Sequence, residues 1–338
     1  MYFVKKIKLI LRFCFSYCIG LIKYDFEKNK LLIFNYHNFN HSINIDDEMY
    51  VSYENFKKQL TFFKNSNLLI SYNDFLKLKN KKYQSKKILI TIDDADFSVK
   101  KTLSIVDKLK VPIILFLPIG LILDKKDINY YKSVCLHSYF FSKNKIQSMQ
   151  KKEEFFNKIV NSNLENLKKT NKILSAKNQN TDYVIKRKKI KYNFFKKINN
   201  SPYITIGSHS MSHVKLSELP YNWLEWEVKK SLKYIKKLKG NYQIFSLPYG
   251  NYDSFNPSII NFLTANKIKH IFSTTGVVNN YDNLLLGRSF VLNSNKNLYI
   301  NGLINGSMNL FEKLLFRVHA KKKFIYKKNN ADDIYPLW

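Results

Sequence analysis

Short runs of apolar residues, most of them ending in polar side chains, recur along this chain. They alternate with segments whose apolar positions repeat at helical spacing. Leu31–Phe34 is the first such run and stops at Asn35-Tyr36-His37. Short continuous apolar runs suit strands buried on both faces. Ile88–Ile92 runs straight into Asp93-Asp94, and Val111–Leu117 follows with Pro112 near its start. Tyr203–Ile206, Gln243–Leu247, His270–Ser273 and Leu284–Val291 continue the series, and Leu68–Ser71 reads as a further short strand.

Helices are predicted between these runs. Ser52 caps a segment that places Phe56, Leu60 and Phe63 on one face. Asp74–Leu78, Val99–Leu109, Trp223–Leu238 and Pro257–Ala265 follow, with one more helix inside Leu298–Val318. Strand–helix alternation implies parallel strands joined by crossovers. The number of units predicts an α/β fold, a distorted (β/α) barrel of about seven parallel strands.

The alternation pauses over residues 124–200, a polar, lysine-rich stretch in which Phe156, Val160, Leu164, Leu167 and Leu174 recur at helical spacing. It reads as a helical insertion in a barrel spanning 27–318. Residues 1–26 form a basic amphipathic helix ahead of the barrel, and 319–338 a basic, solvated tail.

Composition excludes disorder, since 45% of residues are hydrophobic and 15% aromatic. The formal charge of +32 favours anionic surfaces. Only four of the 57 basic residues are arginine, which argues against nucleic acid as a partner. Asn and Ile are also abundant, so part of the lysine excess is compositional. Cys14, Cys18 and Cys135 are too few and too scattered for a disulfide framework, and Cys14 and Cys18 read as apolar filler.

The apolar run Leu9–Ile22 is interrupted by Arg12 and preceded by Lys5, Lys6 and Lys8. It is too short and too charged to span a bilayer, and no small-residue cleavage pattern follows Gly20. Two readings stand side by side: a helix lying on a membrane surface, or a helix packed on the barrel. The expected location is cytoplasmic, with peripheral contact to anionic membrane through residues 1–26; a secreted or cell-envelope location stays open.

In a parallel barrel, reactive groups gather at the carboxyl ends of the strands. His37, the Asp93-Asp94 pair, His209, His213 and Pro248-Tyr249-Gly250 all fall there. His209 and His213 are four apart on a turn expected to enter a helix, which would bring both imidazoles to one side. Two histidines and a carboxylate make a three-ligand site with an open position, the arrangement of catalytic zinc. A second carboxylate beside it can take a proton from water. Taken alone, the acid pair would serve equally well as a solvated turn, and His37 as a hydrogen-bonded strand end.

Taken together, these segments resemble the NodB-type polysaccharide deacetylases. ITIDDAD resembles the family's TFDDG motif, IGSHSMSH its (I/V)GSH(T/S)xxH motif, and FSLPYGNYD its F(A/S)YPYG segment. FNYHNF and VSYENFKKQLTFFKNSNLLISYNDF are similar to the leading portion of the subgroup that opens with a YH strand. The resemblance covers 31–122 and 200–292. It implies Asp93 as general base, and Asp94, His209 and His213 as ligands of a divalent metal, most often zinc. It implies His37 as the acid that protonates the leaving amine, and the backbone N–H of Tyr249 as an oxyanion donor. The family Arg before Pro-Tyr is replaced by Ser246-Leu247, and two readings of Arg288 stand side by side: a substitute partner of Asp93, or an arginine covering the barrel rim. Ala95 stands where the family has Gly, and Ser273-Thr274-Thr275-Gly276 where it has Trp.

The expected function is removal of an acetyl group, N-acetyl first, from a polysaccharide or lipid-linked sugar, so the partner is an acetylated glycan. A catalytically degenerate glycan-binding member of the same fold is the alternative. His41, His137 and Cys135 are expected to be structural, and Asp46-Asp47-Glu48 an exposed loop.

Overall fold

The computed structural model describes residues 2–22, 24–25, 29–40, 49–78, 85–141, 148–177, 188–276 and 278–311, and the strands 323–326 and 334–337. His41, Asp46-Asp47-Glu48 and most of the basic tail lie outside the described residues.

The main sheet is a parallel barrel. Its strands are β1 (Leu31–Tyr36), β4 (Lys87–Ile92), β5 (Ile113–Leu117), β6 (Ile204–Ser208), β7 (Ile244–Ser246), β8 (His270–Ser273), β9 (Leu285–Gly287) and β10 (Ser289–Phe290). The spatial order is β10-β1-β4-β5-β6-β7-β8-β9, and every neighbouring pair is parallel. The predicted strand Leu284–Val291 is therefore split at Arg288. Its first half pairs with β8 and its second with β1, so this one segment closes the ring. A small parallel pair, β2 (Asn38–Asn40) with β3 (Tyr50–Ser52), sits beside it. Leu68–Ser71 is not a strand; it contributes a single bridge, Leu69 to Ile88.

Strand alternation sorts the core. Leu31, Ile33, Leu89, Ile114, Phe116, Ile244, Phe272 and Leu286 form one buried cluster, the barrel interior, with Tyr72 and Phe75. Leu32, Phe34, Ile88, Ile90, Ile113 and Leu115 belong to the cluster under the surrounding helices. Gly207 is needed among the interior positions, since a Cβ there would stand 2.7 Å from both Ile244 and Phe116.

The helices follow their sequence signals. Ser52 accepts a hydrogen bond from the Asn55 N–H at the head of Tyr53–Asn65, as an N-cap should. Val99–Leu109 and Pro257–Ala265 have the predicted bounds. The predicted helix from Trp223 begins earlier, as Tyr221–Glu225, and passes through a π-turn at Trp226–Lys230 into Ser231–Lys237. The insertion is helical, with Ile128–Phe140, Met149–Asn161, Leu164–Lys177 and Tyr192–Ile198.

At the N-terminus, Tyr2–Leu21 is a helix packed on Asn297–Ile304. Phe13 stacks on Tyr299 with ring centres 5.3 Å apart. Cys135 is buried, but Cys14 and Cys18 are exposed on the helix and fill nothing. In the tail, Lys323–Tyr326 pairs antiparallel with Ile334–Leu337.

Candidate active site

The interior register of the strands carries upward into the polar cluster. Asn35 and His37 continue the alternation of Ile33, Asp93 that of Leu89 and Thr91, His209 that of Gly207, Ser246 that of Ile244, and Arg288 that of Leu286. One inward-facing set thus changes from apolar to polar at the carboxyl end. His37, Asp93, Asp94, His209, His213 and Arg288 are all buried, whereas Tyr249 is 36% exposed at the rim.

Asp94, His209 and His213 each present one ligand atom, and these atoms lie within 4.8 Å of one another. Asp94 Oδ1 is 3.4 Å from His209 Nε2 and 3.2 Å from His213 Nε2. Yet Asp94 Oδ1 is buried without a hydrogen bond. Leaving such an atom unsatisfied costs free energy, and a shared cation would satisfy it. His209 Nδ1 lies 2.8 Å from the Ser246 carbonyl, so this nitrogen donates and Nε2 keeps its lone pair toward Asp94. The donor set is two imidazoles and a carboxylate, which fits a divalent ion of the zinc type.

The two histidines do not reach each other along a helix. Residues 209–213 form an irregular turn in which Ser210 (φ +65°) and His213 (φ +54°) are left-handed. This brings the rings to 4.8 Å at 74°. Buried Glu227, on the π-turn, holds the loop by accepting from the N–H groups of Met211 (2.9 Å) and Ser212 (2.8 Å), from the Ser212 hydroxyl and from Trp223 Nε1 (3.1 Å). Burial pushes its carboxyl pKa up, against the pull of those donors. His137, on the insertion helix, meets the same loop, with Nδ1 2.5 Å from the Ser212 carbonyl.

Asp93 lies at the centre of a second set of contacts. Arg288 Nη1 donates to Oδ1 at 2.9 Å, and Nη2 lies 2.8 Å from Oδ2. Asn35 Nδ2 donates to Oδ2 at 3.1 Å. Arg288 also donates to Ser246 Oγ, Thr91 Oγ1 and the Ser273 carbonyl, and its guanidinium lies over the Phe116 ring. Burial alone would raise the Asp93 pKa, but Arg288, then His209 and His37, outweigh it and hold the carboxyl below its ordinary value. For Asp94, burial is outweighed by His213, His209 and Lys189, and the carboxyl lies well below its ordinary value.

His37 Nε2 is 3.6 Å from Asp93 Oδ2, and its ring packs 5.2 Å from Phe290. Burial lowers the imidazole pKa although both carboxylates pull it upward. The His213 pKa is lowered by burial in the same way.

Strain is concentrated here. Asp94 (φ +70°), Ala95 (φ +50°), Ser210, His213 and Tyr249 (φ +64°) are left-handed, while the other left-handed non-glycine residues among those described, Asn67, Lys110, Lys239 and Lys267, follow helix ends. Ala95 adopts the conformation a glycine would take with less strain. Its turn is pinned from outside: the Ile190 N–H donates to the Ala95 carbonyl and the Phe97 N–H to that of Lys188. The insertion therefore braces the acid pair, a role its sequence did not suggest. At the rim, Tyr249 and Gly250 are held by Thr274, whose hydroxyl donates to the Tyr249 carbonyl at 2.7 Å and whose N–H donates to that of Gly250 at 2.8 Å. The Tyr249 ring stands 5.0 Å from His213.

The structure thus brings Asp93, Asp94, His37, His209, His213 and Arg288 into one cluster with Tyr249 at its edge. Sequence reasoning assigned no role to Asn35, Ser246 or Glu227. The inward parity of Asn35 and Ser246 was a usable signal; nothing local marked Glu227.

Comparison with known proteins agrees with this geometry. The family model described as "Polysaccharide deacetylase" matches residues 160–264, which include both histidines and Tyr249. The fold is like that of solved deacetylases. The deacetylase PplD of Streptococcus pyogenes, solved with acetate, superposes with a TM-score of 0.53 at 16% identity, covering 80% of this chain and 97% of that one. IcaB of Ammonifex degensii gives 0.54 at 14% identity, covering 83% and 98%. The putative polysaccharide deacetylase BA0330 of Bacillus anthracis gives 0.54 at 12% identity, covering 82% and 69%. No curated protein sequence matches the chain. The resemblance to NodB-type deacetylases therefore extends from short motifs to the whole barrel.

Proposed function

We propose that this chain is a metal-dependent deacetylase that hydrolyses the acetamide of an N-acetylated sugar, in a polysaccharide or on a lipid carrier. The observation that carries the reading is the adjacency of a buried Asp94–His209–His213 set to a carboxylate, Asp93, kept ionised by Arg288. A divalent ion held by those three residues would lower the pKa of a water molecule and polarise the acetamide carbonyl.

The chain's own groups supply the rest. Asp93 accepts a proton from water as the water oxygen bonds to the carbonyl carbon. With Arg288 and Asn35 bound to it, Asp93 is a weak base, sufficient once the water is acidified. The N–H of Tyr249 would donate to the oxyanion. The C–N bond then breaks, and the amine leaves with a proton from His37. Burial lowers the His37 pKa, which favours release of its proton to the leaving amine once the imidazole is charged. Its 3.6 Å separation from Asp93 gives the abstracted proton a short path to the imidazole. The products are acetate and the free amino sugar.

The test is acetate release from N-acetylglucosamine oligomers and other N-acetylated glycans by protein purified with zinc, followed beside metal content. Bound metal without acetate release from any of these glycans would instead favour the degenerate, glycan-binding reading that Ala95 suggests.

A further inference from the structure

The helix Tyr2–Leu21 has two distinct faces. The inner face is fixed against Asn297–Ile304 and the residues after it. Ser16 Oγ lies 2.8 Å from Ser307 Oγ. A Cβ added at Gly20 would stand 1.8 Å from the Leu298 carbonyl oxygen, and one at Gly302 would stand 1.7 Å from that of Ser16. The two backbones touch at these glycines, which fixes the rotation of the helix about its axis.

That rotation determines what the outer face presents. Ile10, Leu11 and Leu21 are 51%, 52% and 62% exposed, and Ile7, Tyr17 and Ile22 are exposed with them. Cys14 and Cys18 are exposed in the same row. The spacing is that of one helical stripe, and no described residue of the stripe is charged. Scattered exposed apolar residues need no explanation, but a continuous row marks an interaction surface.

Charge identifies the occupant. Lys5, Lys6, Lys8 and Arg12 lie in the segment, no acidic residue precedes Asp25, and the chain carries +32. A second copy would bring like charge against like. Among the described residues, no helix is long and apolar enough to cross a membrane. A basic segment with an apolar stripe, fixed flat on a folded domain, suits the interface of an anionic bilayer. We propose that the outer face of Tyr2–Leu21 docks this protein on an anionic lipid surface, with the apolar row seated among the acyl chains.

The experiment is flotation of the full chain with vesicles of phosphatidylcholine alone, or of phosphatidylcholine and phosphatidylglycerol in equal parts. The wild type is expected to float with the anionic vesicles, less so as salt is raised, and not with the neutral ones. The Ile10→Glu/Leu11→Glu double variant should lower the bound fraction roughly tenfold or more, with its melting temperature unchanged because both sites face outward. An Ile7→Gln/Leu21→Gln variant guards against a folding defect in the first and should show the same loss. Failure of the wild type to bind anionic vesicles overturns the proposal, as does unchanged binding by both variants. Dimerisation that the same substitutions abolish, without flotation, would assign the stripe to a second copy instead.

Discussion

Arg288 and Asp93 meet in a two-pronged ion pair deep in the barrel mouth, at 2.9 and 2.8 Å, with both side chains closed to solvent. The guanidinium comes from the residue at which the closing strand changes partner, between β9 and β10. Ring closure and fixation of the base therefore depend on the same residue.

Removing that pairing should be costly. Arg288→Met leaves a buried carboxylate uncompensated and is expected to lower stability by about 3–5 kcal/mol. Arg288→Lys cannot reproduce the forked contact. In either variant the Asp93 pKa rises, so the acid limb of the pH–rate profile should move to higher pH. A profile of acetate release across the acid range checks this.

Asp94→Ala and His209→Ala each remove one of three ligands. Both are expected to abolish bound metal and to reduce acetate release by at least about a hundredfold. Elemental analysis of the purified variants gives the first result without knowledge of the substrate.

His37→Ala should retain metal, because His37 lies beside Asp93 and outside the ligand set. The loss of a proton donor predicts a fall in kcat of about a hundredfold to ten-thousandfold, with KM little changed. Equal metal content but unchanged kcat would remove His37 from the mechanism.

Glu227→Gln replaces one of the two acceptor oxygens with an NH2 donor, so either the Met211–Ser212 N–H groups or Trp223 Nε1 must face a donor. The expected result is about a tenfold to hundredfold weaker metal affinity at unchanged metal identity. Competition with a chelator measures it.

Acid should destabilise the metal-free protein. Asp93 and Asp94 have folded pKa values below their unfolded ones, so their contribution is complete above the carboxylate range and is lost as pH falls through it. His37 and His213 are also lowered, so the unfolded chain takes up their protons first, beginning near pH 6.5. Glu227, raised by burial, acts in the opposite sense and blunts the fall. Urea midpoints should therefore decline from neutral pH toward about pH 4. A midpoint that rises with acid would contradict these directions.

Much of the architecture was legible in the residues. Apolar runs ending at Asp93, His209 and Pro248 announced parallel strands whose carboxyl ends carry chemistry, because strand length and side-chain alternation are local properties. The helix bounds of Val99–Leu109 and Pro257–Ala265 followed from apolar spacing for the same reason. The break at Arg288 was not legible, since Leu284–Val291 reads as one strand and only its two different neighbours divide it. The turn that joins His209 to His213 also departed from the helical spacing expected of it, because Met211 and Ser212, between its left-handed residues, are held by Glu227 and His137 from other segments.

By itself, then, the sequence determined which side chains stand at strand ends and that they include two imidazoles and two carboxylates. Tertiary structure decided the geometry in which these groups meet: Asp94 Oδ1 within 3.4 Å of both imidazoles, the two-pronged contact of Arg288 with Asp93, the insertion at Ala95, and an apolar stripe turned outward by glycines at a helix crossing. The physical reason is range. Periodicity and capping are set by near neighbours along the chain, whereas hydrogen-bond partners, burial and the pKa shifts they cause depend on residues brought together by folding.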